Sequence, residues 1–231
     1  MSVAEITLRV QAKLVRLRKF IAEHLPGHAC LTCSFQAEDM LLAKLALERD
    51  ARLPVLFLDT GYHFAETYAY RDRMAREWGM NLINLMPQTT VAEQELAHGI
   101  LFESAPDACC RMRKVEPLFS AVAGYRVWLT GLRREQAKSR AALEEEAEFK
   151  LPGGVAVLKL APLADWTAAE VWEACAVLEI PLMPLYAAGY SSIGCEPCTS
   201  LPVAGGDARS GRWAGRKVEC GIHIEAGGGA R

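Results

Sequence analysis

Residues 53–61, LPVLFLDTG, stay apolar through Leu58 and then stop on Asp59-Thr60-Gly61. A short apolar run without alternation suits a strand buried on both faces, since such a strand meets apolar neighbours above and below its sheet. Its polar end would then lie at the carboxyl edge of that sheet. Working back toward the N-terminus, HACLTCSF (28–35) repeats the pattern. It reads as a second buried strand, followed by a turn at 36–39 and a helix over 40–48. Residues 5–24 read as an amphipathic first helix. In the other direction come a helix carrying Glu66, Tyr70, Met74 and Trp78, a strand at 81–87, and helices through much of 91–123. Strands at 125–134 and 155–163 follow, then a helix over 166–180 with Thr167 as its N-cap. Alternating strands and helices predict a single α/β domain with a mostly parallel sheet flanked by helices. Ligands of such folds sit beyond the carboxyl ends of the strands. Three polar clusters fall at that edge: 34–39, 59–61 and 131–134. They point to an anionic or nucleotide ligand.

The 231 residues are 51% hydrophobic and 23% charged, with a formal net charge of −2, an ordinary globular composition that gives no electrostatic case for nucleic-acid binding. No apolar run approaches the roughly 20 residues of a membrane span, and the N-terminal stretch has no apolar core or cleavage site of a signal peptide. The expected compartment is the cytoplasm. Association into homo-oligomers is left open. The Gly-rich stretches at 204–207 and 226–231 read as a loop and a frayed tail, so about 205–231 is expected to form a flexible C-terminal segment of the one domain.

Eight cysteines are many for a chain of this kind. A secreted disulfide scaffold would need export and usually a small core, which leaves metal ligation, thiol chemistry or buried thiols. Cys109-Cys110 and Cys195-Glu-Pro-Cys198 supply four thiolates, the ligand set of an iron–sulfur cluster or an all-cysteine zinc site. A tandem pair is poor material for a zinc ribbon, which uses a spaced pair to wrap one ion. A cubane offers separate iron corners to neighbouring residues, and the cluster reading is preferred. Four buried thiols are the bland alternative. Cys30-Leu-Thr-Cys33 falls in a predicted strand, where period-two geometry sends the two side chains to opposite faces. Cys175 lies on the apolar face of the 166–180 helix. All three read as core. Cys220 stands apart, near the chain end, with Arg209, Arg212, Arg216 and Lys217 upstream and His223 downstream. Positive charge lowers a thiol pKa, as a nucleophilic cysteine requires. A chance cysteine in a loose tail is the other reading of those residues.

SFQAED (34–39), LDTG (58–61) with Glu66-Thr67, CCRMRKVEPL (109–118) and GLRR (131–134) carry a likeness: through them the chain resembles the assimilatory sulfonucleotide reductases, and their adenylyl-sulfate branch in particular. The likeness continues through 181–186, GYSSIGCEPCT (189–199), RSGRWAG (209–215) and ECGIH (219–223), covering nearly the whole chain. The joint occurrence of two cysteine pairs and a terminal E-C-G-I-H is highly specific. The resemblance implies an adenine-nucleotide α-hydrolase-like fold related to the ATP pyrophosphatases, and a [4Fe–4S] cluster held by Cys109, Cys110, Cys195 and Cys198. It also implies Cys220 as the nucleophile and thioredoxin as the reductant. The chain ends soon after Cys220 without a thioredoxin-like domain, so the dithiol is expected to be a separate protein. Gln36, Pro106 and Ala137 depart from residues common in relatives.

On that reading the thiolate of Cys220 attacks the sulfur of adenosine 5′-phosphosulfate, AMP leaves, and an S-sulfonated cysteine awaits a second thiol. An anion must then approach an anion, so cations near the sulfate matter most. Lys114, Arg133, Arg134, Arg209 and Arg212 are the candidates. Lys114 follows Cys110 by four residues, so a helix would set both on one face and let the ammonium meet cluster and sulfate together. Ser34 and the amides of the 34–39 turn would hold the phosphate, with 59–61 beside the nucleoside. The alternatives are a reductase of the 3′-phosphorylated analogue (PAPS), one of dual specificity, or a non-catalytic iron–sulfur nucleotide sensor. The S-G-G-x-D-S loop that cradles pyrophosphate in ATP-consuming relatives of this fold is absent from 34–39.

Overall fold

The protein is described here from a computed structural model covering residues 3–25, 27–205, 209–217 and 219–223. Helix α1 (Val3–His24) leads into β1 (Ala29–Thr32), α2 (Ala37–Arg49), β2 (Pro54–Leu58), α3 (Ala65–Glu77) and β3 (Asn81–Leu85). A helical stretch follows: α4 (Val91–His98), α5 (Leu101–Ser104), α6 (Pro106–Cys110), a π-helical turn (Arg111–Val115) and α7 (Glu116–Val122). The chain closes the domain with β4 (Val127–Leu129), β5 (Glu146–Lys150), β6 (Ala156–Leu160) and α8 (Ala168–Val177). The six strands run in the order β3-β2-β1-β4-β6-β5, parallel except for β5, which pairs antiparallel with β6.

Apolar periodicity explains the layers. On α1, Val10, Leu14, Leu17 and Ile21 recur along one face and are all buried, each contributing about 1.5–3 kcal/mol if fully removed from water. They join α2, α3 and α8 against one face of the sheet, around Leu31, Phe35 and Phe57. The opposite face packs Trp128, Phe149, Leu118 and Val122. Thr167 accepts the Glu170 amide at 3.2 Å, while the Glu170 carboxylate accepts the Thr167 amide at 2.8 Å. This capping box starts α8 where the sequence predicts. Glu170 also takes Lys13 at 2.6 Å, tying α1 to α8.

Strand β5 escapes sequence reading. Its sequence EAEFK buries only Phe149, and charged residues on an edge strand are what keep such an edge from pairing with other chains. The π turn was equally unforeseen. Pro117 has no N–H to give the carbonyl four residues back and its ring crowds that carbonyl. The helix widens just ahead of it, with the Glu116 amide donating to the Arg111 carbonyl.

The centre of the sheet positions the cleft. β1 and β4 end side by side, and Gly131 just beyond β4 lies against the first turn of α2. A Cβ there would overlap Asp39 Oδ1 and stand 3.0 Å from Glu38 Cβ and 3.1 Å from the Asp39 amide. Gly131→Ala should therefore cost about 1–3 kcal/mol, read as a lowered urea midpoint with unchanged slope. A variant as stable as the parent would show that this wall can shift.

Candidate active site

A cavity of about 310 Å³ opens at the carboxyl edge of the sheet, walled by the ends of β1, β2 and β4 and by residues from the C-terminal part of the chain. Ser34, Lys114, Arg133, Arg209, Arg212 and Cys220 all line it. A second, small cavity is lined by Cys109, Cys110, Cys195 and Cys198 together with Tyr62, Phe102 and Arg113. Lys114 and Trp213 form part of both walls. The two cysteine pairs, far apart in sequence, thus share one pocket, while Cys30, Cys33 and Cys175 are buried elsewhere. Cys30 packs with Trp128 on one face of the sheet and Cys33 with Phe35 on the other, as their spacing in a strand requires. Burial pushes Cys30 and Cys175 up to about 12.

The four thiols of the small cavity are electrostatically distinct. Burial raises Cys109 to about 11, and it also raises Cys110 and Cys198. Cys195 is held below its ordinary value: burial opposes this, but Lys114 and the Thr60 hydroxyl, 3.3 Å from its sulfur, together with Arg212, outweigh it. Burial would depress the Lys114 ammonium, and the thiols of Cys195, Cys220 and Cys110 around it reverse that and raise it. Among the described residues no three Cys, His, Asp or Glu side chains are grouped about a single metal-ion position. The donor set fits a sulfur-ligated group: four thiols on one enclosed wall with a cation behind them.

Several sequence expectations need correction. Arg134 is not part of the cleft; it pairs with Asp165 and donates to the Leu143 carbonyl at 2.7 Å. Arg133 lines the cleft, but its Nε and Nη2 bond Glu38 at 3.0 and 2.8 Å and its Nη1 bonds Glu135 and the Trp166 carbonyl. It braces the wall. Residues 59–61 do not line the cleft: Thr60 touches Cys195 from behind the cysteine pocket, and the Thr60 carbonyl accepts Arg113 Nε at 2.6 Å. Asp59 takes the Tyr68 hydroxyl at 2.6 Å and Arg71 at 3.4 Å. Ser34 is exposed at the cleft, with its amide and hydroxyl both donating to Asp39, at 2.7 and 2.6 Å. The Ala37 amide donates to the Tyr186 hydroxyl at 3.1 Å. Gln36, an atypical residue, bridges the Ser34 hydroxyl and the Ile193 amide.

The C-terminal residues bring their cations to different places. Arg212 is buried against Gly194, reaches Ser192 Oγ at 3.3 Å and stacks 4.6 Å over Trp213. Arg216 donates to the Phe102 and Glu103 carbonyls, and Lys217 pairs with Asp107 at 2.5 Å. His223 supplies no positive charge: burial, helped by Lys159, Arg140 and Arg209, holds it well below its ordinary value, and it stacks 5.6 Å from Trp128. Trp213 and Ala214 both have φ of 51°, a strained conformation for residues with side chains. Residues 206–208, 218 and 224–231, part of the segment expected to be flexible, lie outside the described residues. Among the cleft residues not singled out from sequence are His63, Gln136 and Arg140. His63 donates to the Leu58 carbonyl at 2.7 Å and is lowered to about 4, chiefly by burial and also by Lys114.

The phosphoadenosine phosphosulfate reductase domain matches residues 28–201. The chain belongs to that family. An adenosine 5′-phosphosulfate reductase of Mycolicibacterium smegmatis is 41% identical over 92% of this chain and 89% of its own, and one from Rhodococcus opacus is 44% identical over 80% and 75%. Among solved structures, the phosphoadenylyl-sulfate reductase of Candida auris in complex with phosphate superposes with a TM-score of 0.67 at 23% identity, covering 87% of this chain and 98% of that one. An FMN adenylyltransferase of Candida glabrata follows at 0.63 with 15% identity, over 87% and 68%. These distant likenesses establish the adenine-nucleotide α-hydrolase-like fold that the family shares.

Asp39 offers a test of the cleft's electrostatics. Burial pushes its carboxyl up to about 6, against the opposing hydrogen bonds from Ser34. Between about 4 and 6 the folded chain therefore binds a proton that the unfolded chain has lost, so this contribution to stability is greatest at low pH and is lost as pH rises through about 6. Asp39→Asn, which cannot titrate, should gain on the wild type as pH rises from 4 to 7 in urea melts. A constant difference across that range would place the charge elsewhere.

Proposed function

We propose that this chain reduces adenosine 5′-phosphosulfate to sulfite and AMP, with Cys220 as nucleophile and thioredoxin or a similar dithiol protein as reductant, in the assimilation of sulfate. The observation that carries the reading is the position of Lys114, which reaches the cleft that Cys220 faces and the pocket of the other four thiols. The curated relatives named for this activity, similar over most of the chain, support the choice of substrate.

The cleft offers the anionic end of such a substrate Lys114 and Arg212, with Arg209 beside them. The Cys220 thiolate attacks sulfur, an S–S bond forms, the S–O bond to AMP breaks, and AMP departs with the electron pair. A thiolate of the reductant then attacks Cys220 Sγ and expels sulfite. The resulting mixed disulfide is opened by the reductant's second thiol, which supplies the remainder of the two electrons and returns Cys220 as thiolate. Lys114 and Arg212 face charge that develops on the transferred sulfonate and so lower the barrier that two approaching anions create. Ser34 can contribute a hydroxyl to the phosphate by exchanging its bond to Asp39. For the exchange with reductant, the segment from about residue 205 onward would leave the cleft carrying Cys220.

Cys109, Cys110, Cys195 and Cys198 would hold a [4Fe–4S] cluster, whose negative shell would fix the position and field of Lys114. Successive residues of a helix point about 100° apart, so Cys109 and Cys110 suit separate iron corners better than one zinc ion. All eight cysteines are free thiols, which suits a reducing cytoplasm. Among the described residues no helix is long and apolar enough to cross a membrane.

Anaerobically purified protein should contain about four irons and four labile sulfides per chain. Serine at any of the four pocket cysteines should remove them, and serine at Cys30 or Cys175 should not; stoichiometric zinc without labile sulfide would refute the cluster.

Radiosulfur-labelled substrate without reductant should leave label on the Cys220 peptide, which thioredoxin then discharges as sulfite. Cys220→Ser should bind AMP and trap nothing. Turnover should favour adenosine 5′-phosphosulfate over PAPS. Sulfite release by Cys220→Ser at the wild-type rate would reassign the chemistry, and a preference for PAPS would reassign the substrate.

Lys114→Ala should slow S-sulfonation by at least about 100-fold, the scale of one lost electrostatic contact in a transition state, while changing AMP affinity little. Equal losses in both would make Lys114 a general binding residue.

A further inference from the structure

Glu219, immediately before Cys220, is an acid placed beside a site that must receive an anion. It is not left facing the cleft. Its carboxylate takes Arg140 in a two-pronged pair, Nε to Oε1 at 2.8 Å and Nη2 to Oε2 at 2.9 Å. It also takes Arg209 at 3.4 Å and the Ser139 hydroxyl at 3.2 Å. The Glu219 and Arg140 side chains are 12% and 11% exposed, so the pair is largely withdrawn from water. Burial opposes ionisation of Glu219, yet Arg140 and Arg209 hold its carboxyl below the usual range. Arg140 is itself held in place by Gln136, which lines the same cleft and bonds the Arg133 amide at 3.1 Å. The chain from Gly131 to Arg140 is thereby fastened to the residue next to the thiol.

We propose that Glu219 is a positioning residue: through Arg140 and Arg209 it clasps Cys220 over the cleft for the attack on the substrate and lets go for the exchange with the reductant. This rests on the function proposed above. A two-pronged guanidinium–carboxylate pair fixes direction as well as distance, so it sets where Cys220 lies from the N-terminal side, while beyond Gly221 the packing of Ile222 and His223 near Trp128 holds the other side. The pair also solves a charge problem. With Glu219 neutralised by two cations, the cleft presents the nucleophile without an adjacent unpaired anion. Once the sulfonate is on Cys220, a new anion one residue away competes with Glu219 for Arg209, which weakens the clasp at the stage when the thiol must meet a second protein.

The test compares the full-length, cluster-loaded wild type with Glu219→Gln, Arg140→Gln and the double variant. Three quantities are measured: the rate of Cys220 alkylation by iodoacetamide on its high-pH plateau, AMP affinity, and single-turnover labelling of Cys220 by adenosine 5′-phosphosulfate. On the plateau all thiol is ionised, so the alkylation rate reads access together with the thiolate's intrinsic nucleophilicity, which changes only about threefold per pKa unit. Breaking the clasp should raise that rate about tenfold in each single variant, and no further in the double, because residues acting through one contact are not additive. Labelling should slow by about tenfold in each single variant, with AMP affinity of Glu219→Gln within about threefold of wild type. Electrostatics without a clasp predicts the opposite for Glu219→Gln: loss of an anion lowers the thiol pKa and makes its thiolate a poorer nucleophile toward a neutral reagent, so alkylation on the plateau would slow, not speed up. Unchanged or slower alkylation in Glu219→Gln, or a double variant in which the single effects multiply, would overturn the proposal. Absence of label on the wild-type enzyme would instead overturn the functional reading, while the alkylation comparison would still decide the clasp.

Discussion

A lysine ammonium buried among the thiols of Cys195, Cys220 and Cys110 holds the two halves of the site together. Removing an ammonium from water is costly unless opposite charge or strong acceptors surround it. Here Lys114 lies among sulfur from three separate segments, the helix end at Cys110, the loop at Cys195 and the C-terminal segment at Cys220, and of these Cys195 is the thiol held, against burial, below its ordinary value, chiefly by Lys114. The aim of the side chain depends on the π turn that Pro117 forces, because an uninterrupted α-helix would rotate everything after Cys110 differently. Arg113, one residue earlier, anchors the same turn through the Thr60 carbonyl and Gln94.

The second constraint is the supply of positive charge. The cleft has many arginines, but protein carboxylates already engage several of them: Arg133 by Glu38 and Glu135, Arg134 by Asp165, Arg140 by Glu219. Those pairs shape the walls. The cations proposed to face the ligand are a smaller set centred on Lys114 and Arg212, and Arg212 is oriented by stacking on Trp213 and by the absence of a side chain at Gly194. Trp213 in turn separates the cleft from the cysteine pocket, in a strained backbone conformation that only tight packing sustains.

Much of this was legible in the sequence because it is local. The apolar runs at 28–35 and 53–61 are strands, Thr167 caps its helix, and the parity of Cys30 and Cys33 sends them to opposite faces. The cysteine pairs could be matched by spacing and resemblance before any geometry was known. What sequence could not supply is direction. Arg133 and Arg134 are adjacent, yet one lies in the cleft wall and the other outside it. His223 looks like a cation beside a thiol, but burial against Trp128 keeps it neutral. Strand β5 hides because a polar edge strand has only one buried residue to announce it, and the Glu219–Arg140 pair joins positions 79 apart in the chain.

The attachments of the C-terminal residues differ in kind from those of the sheet. Many of the attachments of residues 209–223 are polar, Arg216 to two carbonyls, Lys217 to Asp107 and Glu219 to Arg140, while Trp213 is buried, Ile222 packs beside the core around Trp128, and His223 stacks on Trp128 itself. The polar contacts are each worth little against water when partly exposed, and they involve partners, such as Phe102, Asp107 and Arg140, that belong to elements folded without them. The sheet instead rests on buried apolar surface contributed by helices on both faces. Segments held by few apolar contacts open at far lower free energy than the core. On the function proposed above, a nucleophile carried largely on polar attachments would be exposed to a second protein while Leu31 and Phe57 stay packed. That division of labour would let one cysteine serve two partners in succession, a small nucleotide inside the cleft and a protein thiol outside it.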